Sequence, residues 1–330
     1  MKSLFFTGKG GVGKSTLASA AAWQLAERGN KVLAISLDPA HNLGDIFGKE
    51  LNYKKKKIAH NLWLQEANLD RAAQEYLRQN TDLLTQVYSY TRAFNLDMYF
   101  KVLRHSPGVE EYASLLILEN AFRNETNMDY VVFDTPPTGL TLRILALPNI
   151  SVTWIDRLRR IRRDILKKRH TVHNISGQYS EEGTVLPYTE EEDPVFVKLQ
   201  EMFNRYVSLY RQLSQKENNY IAVVFNPDYL SLRESQRIID GLKDLELPLR
   251  VGFDNKYSPE LEDIADGVEK ELFDHQDDVV VERVPMHEYR REGAYKLEYD
   301  IITPILEGRS HGAADAGAGG ADTQGAGGRG

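Results

Sequence analysis

The chain is 330 residues long, 42% hydrophobic and 27% charged, with a formal net charge of -7. That is enough apolar content for a sizeable core, and the acidity argues against a general nucleic-acid binder. Cysteine is absent, which excludes disulfides, thiolate metal sites, iron–sulfur clusters and cysteine nucleophiles.

Residues 2–7 (KSLFFT) form a short apolar run bounded by glycine and predict a buried strand. The glycine-rich stretch GKGGVGKST follows at residues 8–16. From Lys14, STLASAAAWQLAERG is rich in helix formers, with Leu17, Ala21 and Leu25 on one face and Gly29 as a stop. Residues 31–37 (KVLAISL) predict a second buried strand. Strand, glycine loop, helix and strand in this order make a βαβ unit, so the expected fold is α/β with a mainly parallel sheet flanked by helices.

Residues 8–15 fit GxxxxGK[S/T], a phosphate-binding loop. Backbone N–H groups must turn inward against phosphate oxygens there, which favours Gly8, Gly10, Gly11 and Gly13 around Val12. The helix that follows, through Thr16, aims its N-terminal amides at the same anion. Lys14 is expected to reach the β- and γ-phosphates of a bound nucleotide, and Ser15 to give its hydroxyl to Mg²⁺. Lys9, five positions before Lys14, has no role in a loop of that kind.

DPAHNLGD (residues 38–45) lies directly after the second strand. Ligands of open α/β sheets sit beyond the carboxyl ends of the strands, so Asp38 is a candidate to orient or deprotonate the attacking water. Its other reading is an Asx turn before Pro39. Further strands are predicted at 62–66, 130–133, 220–225, 249–253 and 279–284. The strand at 130–133 ends on Asp134, placed to hold Mg²⁺ directly or through water, and DTPPTG continues as a loop whose prolines and glycine oppose a helix. Residues 69–127 and 155–216 read as one helical subdomain inserted at one end of the sheet. Within it, 154–169 (WIDRLRRIRRDILKKR) places Trp154, Ile155, Leu158, Ile161 and Ile165 on one face among eight Lys or Arg and two Asp. That helix suits an acidic partner, anionic lipid or a client's flank, or else packs as a solvated helix near the acidic stretch 190–193. SLRE (231–234) has capping-box spacing for a helix. Residues 308–330 are Gly/Ala-rich and predict a flexible tail after a domain spanning 1–307.

GKGGVGKST with its extra Lys9, then DPAHNLGDIFG and DTPPTGLTLRILALP, resembles the ArsA family of deviant-Walker ATPases. Within it the similarity is greatest to the group that targets tail-anchored membrane proteins. NLWLQEANLDRAAQEY, SPGVEEYASLL and VVFNPDYLSLRESQRIIDGL extend the resemblance in the same order. It implies an ATP hydrolase using Mg²⁺ and working as a homodimer, with Lys9 crossing to the phosphates of the partner's ATP, Asp38 in a first switch and Asp134 opening a second. Asn255 falls where the family recognises adenine, with Asn226 as the competing choice. The family's helical subdomains hold hydrophobic clients, for which Met98, Tyr99, Phe100, Leu103, Leu115, Leu116 and Leu118 are candidates, their other reading being ordinary packing between helices, and a membrane receptor is an implied partner.

The chain departs from the family's targeting group at Pro136 and Leu140, where alanine and histidine are common. It also lacks the cysteines of the zinc-held dimers and of the arsenite-activated pumps. Other readings are a ParA/MinD-like partition or positioning ATPase, a metalloid-pump-type ATPase without its cysteine site, a cluster reductase or metallochaperone, and a nucleotide-bound scaffold. DPAHNLGD, the helical segment and the acidity stand against the first, and no nucleic acid is expected as a partner. No apolar run approaches the ~18 residues of a membrane span, and no signal-peptide pattern precedes the first strand, so a cytoplasmic protein is expected.

Overall fold

In the computed structural model, the described residues are 1–38, 40, 42–87, 108–177, 180–181, 184–274, 276, 278–286, 293 and 295–308. β1 (Lys2–Gly8) runs into the glycine loop, α1 (Lys14–Glu27) follows, and β2 (Val32–Ser36) completes the first βαβ unit. Next come α2 (Asn42–Phe47), β3 (Lys56–Ala59), β4 (Leu62–Glu66), α3 (Leu69–Val87) and α4 (Val109–Asn124). β5 (Tyr130–Asp134) returns to the sheet and leads into α5 (Thr138–Ser176). The short strands β6 (Ser180–Glu181) and β7 (Thr184–Val185) precede α6 (Pro194–Ser214). β8 (Asn219–Phe225), α7 (Tyr229–Asp244), β9 (Leu249–Tyr257), α8 (Glu262–Phe273), β10 (Val280–Pro285) and α9 (Ile302–Glu307) close the chain as described.

The main sheet has the order β10-β9-β8-β1-β5-β2-β4-β3, and its pairs are parallel except β3 with β4. β1 sits between β5 and β8, and helices cover both its faces, as a near-continuous apolar strand requires. Phe5 stacks on Phe133 at 4.6 Å between ring centroids, inside the core shared with α4 to α8. Leu4 and Phe6 point the other way, into a second core built with α1, α2 and α9. The predicted strands are all present. β3 escaped prediction because KKIA carries lysines rather than alternating apolar residues; charged residues on an edge strand discourage pairing with another chain.

Four expectations need correction. The DTPPTG segment does not hold back a helix: α5 starts at Thr138, with Pro137 outside it, and continues for 39 residues through Pro148. The second helical segment therefore begins well before residue 155, and it is interrupted by the β6–β7 ribbon. The helix after β8 is capped not at Ser231 but at Asp228, whose side chain accepts from Ser231 N at 2.7 Å, the first-turn donor that an N-cap satisfies. Leu115, Leu116 and Leu118 are buried between helices and present no surface. Met98, Tyr99, Phe100 and Leu103 lie outside the described residues, as do residues 309–330.

The basic helix is rotated relative to its expected packing. Ile155 and Leu166 are buried, whereas Trp154, Leu158, Ile161 and Ile165 are exposed. The arginines turn inward in their place. Arg162 makes two hydrogen bonds, at 3.0 and 2.6 Å, to Asp193, which is fully buried and also caps α6 through Phe196 N. Arg163 donates to Glu190 at 2.6 Å, and Arg159 lies 4.2 Å from the Phe203 ring centroid. The expected proximity to residues 190–193 is thus present, carried by bidentate and cation–π contacts.

Candidate functional site

Parallel register sets the carboxyl ends of β1, β2, β4, β5, β8 and β9 along one edge. Phe6 pairs with Asp134, Ser36 pairs with both Asp134 and Glu66, Gly8 pairs with Val224, and Phe225 pairs with Asp254. The loop 9–13 leaves β1 at this edge and delivers Lys14 as the first residue of α1. Two of its glycines are required by space. A Cβ on Gly8 would lie 2.1 Å from Val224 O, and one on Gly13, at φ 103°, would lie 2.3 Å from Asn255 Nδ2. Gly10 meets neither constraint, with open space at its Cβ position.

Lys14 is buried, and its Nζ donates to Lys9 O at 3.0 Å, so the ammonium is folded back across the loop. Burial lowers its pKa, opposed by the charges of Asp134, Asp38 and Glu234. Asp134 is nearly inaccessible, and neither carboxylate oxygen has a hydrogen-bond partner. Desolvation raises its pKa to about 7, while Ser15, Lys14 and Ser36 pull in the other direction without closing a hydrogen bond on it. The Ser36 and Thr7 hydroxyls nearby in the strand ends are also buried and unpartnered. Leaving such groups unpaired costs about 1–3 kcal/mol each, and a ligand rich in oxygen and charge removes that cost.

These donors fit nucleotide with Mg²⁺. Oxygen ligands suit the ion, and one or two carboxylates with phosphates and water are its usual set. Among the described residues no cluster of three His, Asp or Glu forms a metal cage, so the residues that would hold the ion are Asp134 and Ser15 together with the nucleotide. Asp38 both forms the Asx turn, accepting from Ala40 N at 2.9 Å, and acts electrostatically on Lys14 and Asp134. The Asx-turn reading is thus present in the structure.

Asn255 is brought to the loop and Asn226 is not. Asn255 Nδ2 donates to Val12 O at 2.7 Å and its Oδ1 is buried and free of any partner. Asn226 directly follows β8 and uses its backbone N–H on Ser231 Oγ, with its own Oδ1 also unpartnered. The Lys9 side chain does not enter the site: its Nζ lies 3.9 Å from Asp228 Oδ1, and both side chains are partly exposed. Gly11, Val12 and Thr16 occupy the loop and the first turn of α1 as expected.

Sequence reasoning missed three contributors. Lys256 follows Asn255 at φ 62°, an uncommon backbone for a residue with a Cβ, and its Nζ donates to Gly11 O at 2.8 Å. Glu234 accepts from Thr138 Oγ1 at 3.2 Å, tying α7 to the start of α5. Glu66 accepts from Gly44 N at 2.9 Å and so anchors the segment that follows Asp38. The polar residues ending apolar strands, Glu66 after LWLQ and Lys256 after DN, were the available signal.

A model of the anion-transporting ATPase family matches residues 1–297. A protein of Aquifex aeolicus named as an arsenical pump-driving ATPase is 31% identical over 79% of this chain and 81% of its own length. A second from that organism is 31% identical over 72% of this chain, which spans only 58% of it. An ASNA1 ATPase homologue of Paramecium tetraurelia is 27% identical over 76% of this chain and 73% of its own.

Proposed function

We propose, from the premise that this chain belongs to the ArsA family of anion-transporting ATPases, that ATP-driven closure of a homodimer controls its hold on hydrophobic or tail-anchored membrane-protein clients. The chain is an ATPase of that family. The observation that carries the dimer is the division of labour between two lysines. Lys14 is buried and folded over its own loop, while the Lys9 side chain stays at the rim against Asp228. A lysine at the rim is available to a facing subunit, and a contact made only in the closed dimer is what lets ATP favour that state.

ATP and Mg²⁺ supply the phosphoryl group and the divalent charge when bound. The loop amides and Lys14 would hold the phosphate chain, Ser15 and Asp134 would hold the ion, and Asn255, whose Nδ2 donates to Val12 O, would meet the base. Asp38 orients the attacking water, a positioning task that suits phosphoryl transfer. In the family reading, pump members bind the metalloid through cysteine thiolates, soft ligands that this chain lacks. Dimerisation with ATP, measured by sedimentation, and ATP hydrolysis test the reading together: Lys9→Ala is expected to lose both, and full retention of both ends it. Client binding is tested separately, by asking whether the purified chain keeps a transmembrane segment soluble and releases it on hydrolysis.

A further inference from the structure

Among the described residues, Glu246 and Lys256 are the two that carry a positive φ without being glycine, at 55° and 62°. Glu246 has an ordinary reason: it follows the C-cap of α7, the left-handed position at which helices commonly end. Lys256 has no such reason, because it lies inside β9. Asn255 pairs with Val284 and Tyr257 with Pro285, which leaves Lys256 as the extra residue of a bulge against β10. A left-handed backbone at a residue with a Cβ costs free energy and persists only where its surroundings hold it, and bulges of this kind re-aim a side chain.

The contacts show what is re-aimed. Successive side chains of a strand point to opposite faces, yet Asn255 and Lys256 reach adjacent carbonyls of the glycine loop. Asn255 Nδ2 donates to Val12 O at 2.7 Å, and Lys256 Nζ donates to Gly11 O at 2.8 Å. A trans peptide sets its N–H opposite its C=O. Holding the carbonyls of Gly11 and Val12 toward β9 therefore turns the N–H groups of Val12 and Gly13 away from it, and neither has a protein acceptor among the described residues. Two successive free amides, between Gly11 at φ 80° and Gly13 at φ 103°, form the kind of backbone nest that receives an anion.

We infer that Lys256 is a positioning residue of the ATPase: through Gly11 O it fixes the peptide that carries the Val12 N–H, so that this amide faces the nucleotide's phosphates before the nucleotide arrives. Asn255 does the same, through Val12 O, for the peptide that carries the Gly13 N–H. A nest held in its bound shape loses less ordering entropy on binding. The Lys256 ammonium acts through the loop, since it binds the carbonyl, on the side of the peptide opposite the amide. The inference rests on the reading of residues 8–16 as a phosphate loop.

The test is calorimetric titration of the full chain with Mg²⁺·ADP and with the slowly hydrolysed ATPγS, beside a melt without nucleotide. Lys256→Met, which keeps the length of the side chain but not its donor, is expected to lose about tenfold in affinity. The loss is equal for both nucleotides, because both place phosphates against the same amides. Lys256→Arg keeps a donor and recovers most of the affinity. Lys256→Gly removes the donor and the left-handed cost together, so it binds as weakly as Lys256→Met yet melts no lower than the original chain. In steady-state hydrolysis the loss appears in KM rather than in kcat, the pattern of an interaction made equally in ground and transition states. Unchanged affinity in Lys256→Met while Lys14→Ala loses it overturns the inference and leaves the loop reading standing; unchanged affinity in both variants overturns the two together. A larger loss for ATPγS than for ADP assigns the ammonium directly to the γ-phosphate, and a loss that follows the melting temperature across the three variants makes Lys256 structural only. Either result also overturns the inference.

Discussion

At the carboxyl edge of the sheet, Asp134 and Asn255 are buried with oxygens that meet no partner. On α5, which starts four residues after Asp134, Trp154, Leu158 and Ile161 stand in water. The first region takes polar groups out of solvent without pairing them, and the second leaves apolar groups in solvent without covering them. Each costs free energy in the chain alone, and phosphate with a cation is the chemistry that would recover the first. The difference lies in reach. The sheet edge is preorganised by parallel register, so a ligand there must be small and enter a fixed cradle; the helix face is open and continuous.

The largest effect that sharpens this contrast is expected at the loop. Lys14→Ala removes the buried cation over the phosphate cradle and should lower ATP turnover by about 10²–10³, the scale of losing one preorganised charge donor, with the melting temperature little changed. Lys9→Ala should match it in activity and differ in assembly, because its cation serves the facing subunit under the proposed function. If either variant hydrolysed ATP at the original rate, the sheet edge would lose its standing as the chemical half of the comparison.

Smaller effects test burial itself. Leu115→Ala, in the core under α4, should destabilise the chain by about 2–5 kcal/mol in a denaturant melt. Leu158→Ala, a leucine on the open face of α5, should change stability by no more than about 0.5 kcal/mol. Equal costs at the two leucines would mean that the outward face is packed in solution.

A pH series separates a third kind of group. Asp254 on β9 is fully buried and unpartnered, and burial, with the neighbouring Glu269 carboxylate, raises its pKa to about 8 against the pull of Arg283. The folded chain therefore keeps this proton up to about pH 8, whereas the unfolded carboxyl releases it at about 4. Between those values folding takes up a proton, so stability falls as pH rises, by at most about 1.4 kcal/mol per pH unit. Asp254→Asn should remove that slope, and chemical melts at pH 5 and pH 8 compare the two chains; identical slopes would show that the carboxyl is hydrated in solution.

Much of the sheet was legible in the sequence because a strand buried on both faces needs a continuous apolar run, and KSLFFT, YVVF and YIAVVF can be little else. The phosphate loop was legible for a similar reason: only glycine tolerates the approach of Val224 O to Gly8 and of Asn255 to Gly13. The helices yielded less. DTPPTG contains residues that oppose helix locally, yet α5 begins inside it, because packing against α4 and α6 outweighs the propensities of a few residues. The caps told the same story, since Asp228 rather than Ser231 faces the free amides.

What the sequence by itself determined was the α/β class, the parallel strands of the main sheet and the glycine loop after β1, all of which follow from local sterics and from periodicity along the chain. Tertiary structure alone decided that Lys9 rests on Asp228, that Lys256 and Glu234 join the site from distant elements, and which way α5 faces. An apolar line and an arginine line on one helix are equally readable as the inner side. Asp193, Glu190 and Phe203, held on and beside another helix, settle the rotation in favour of the arginines, because a buried bidentate carboxylate and an aromatic face are partners that no stretch of α5 contains.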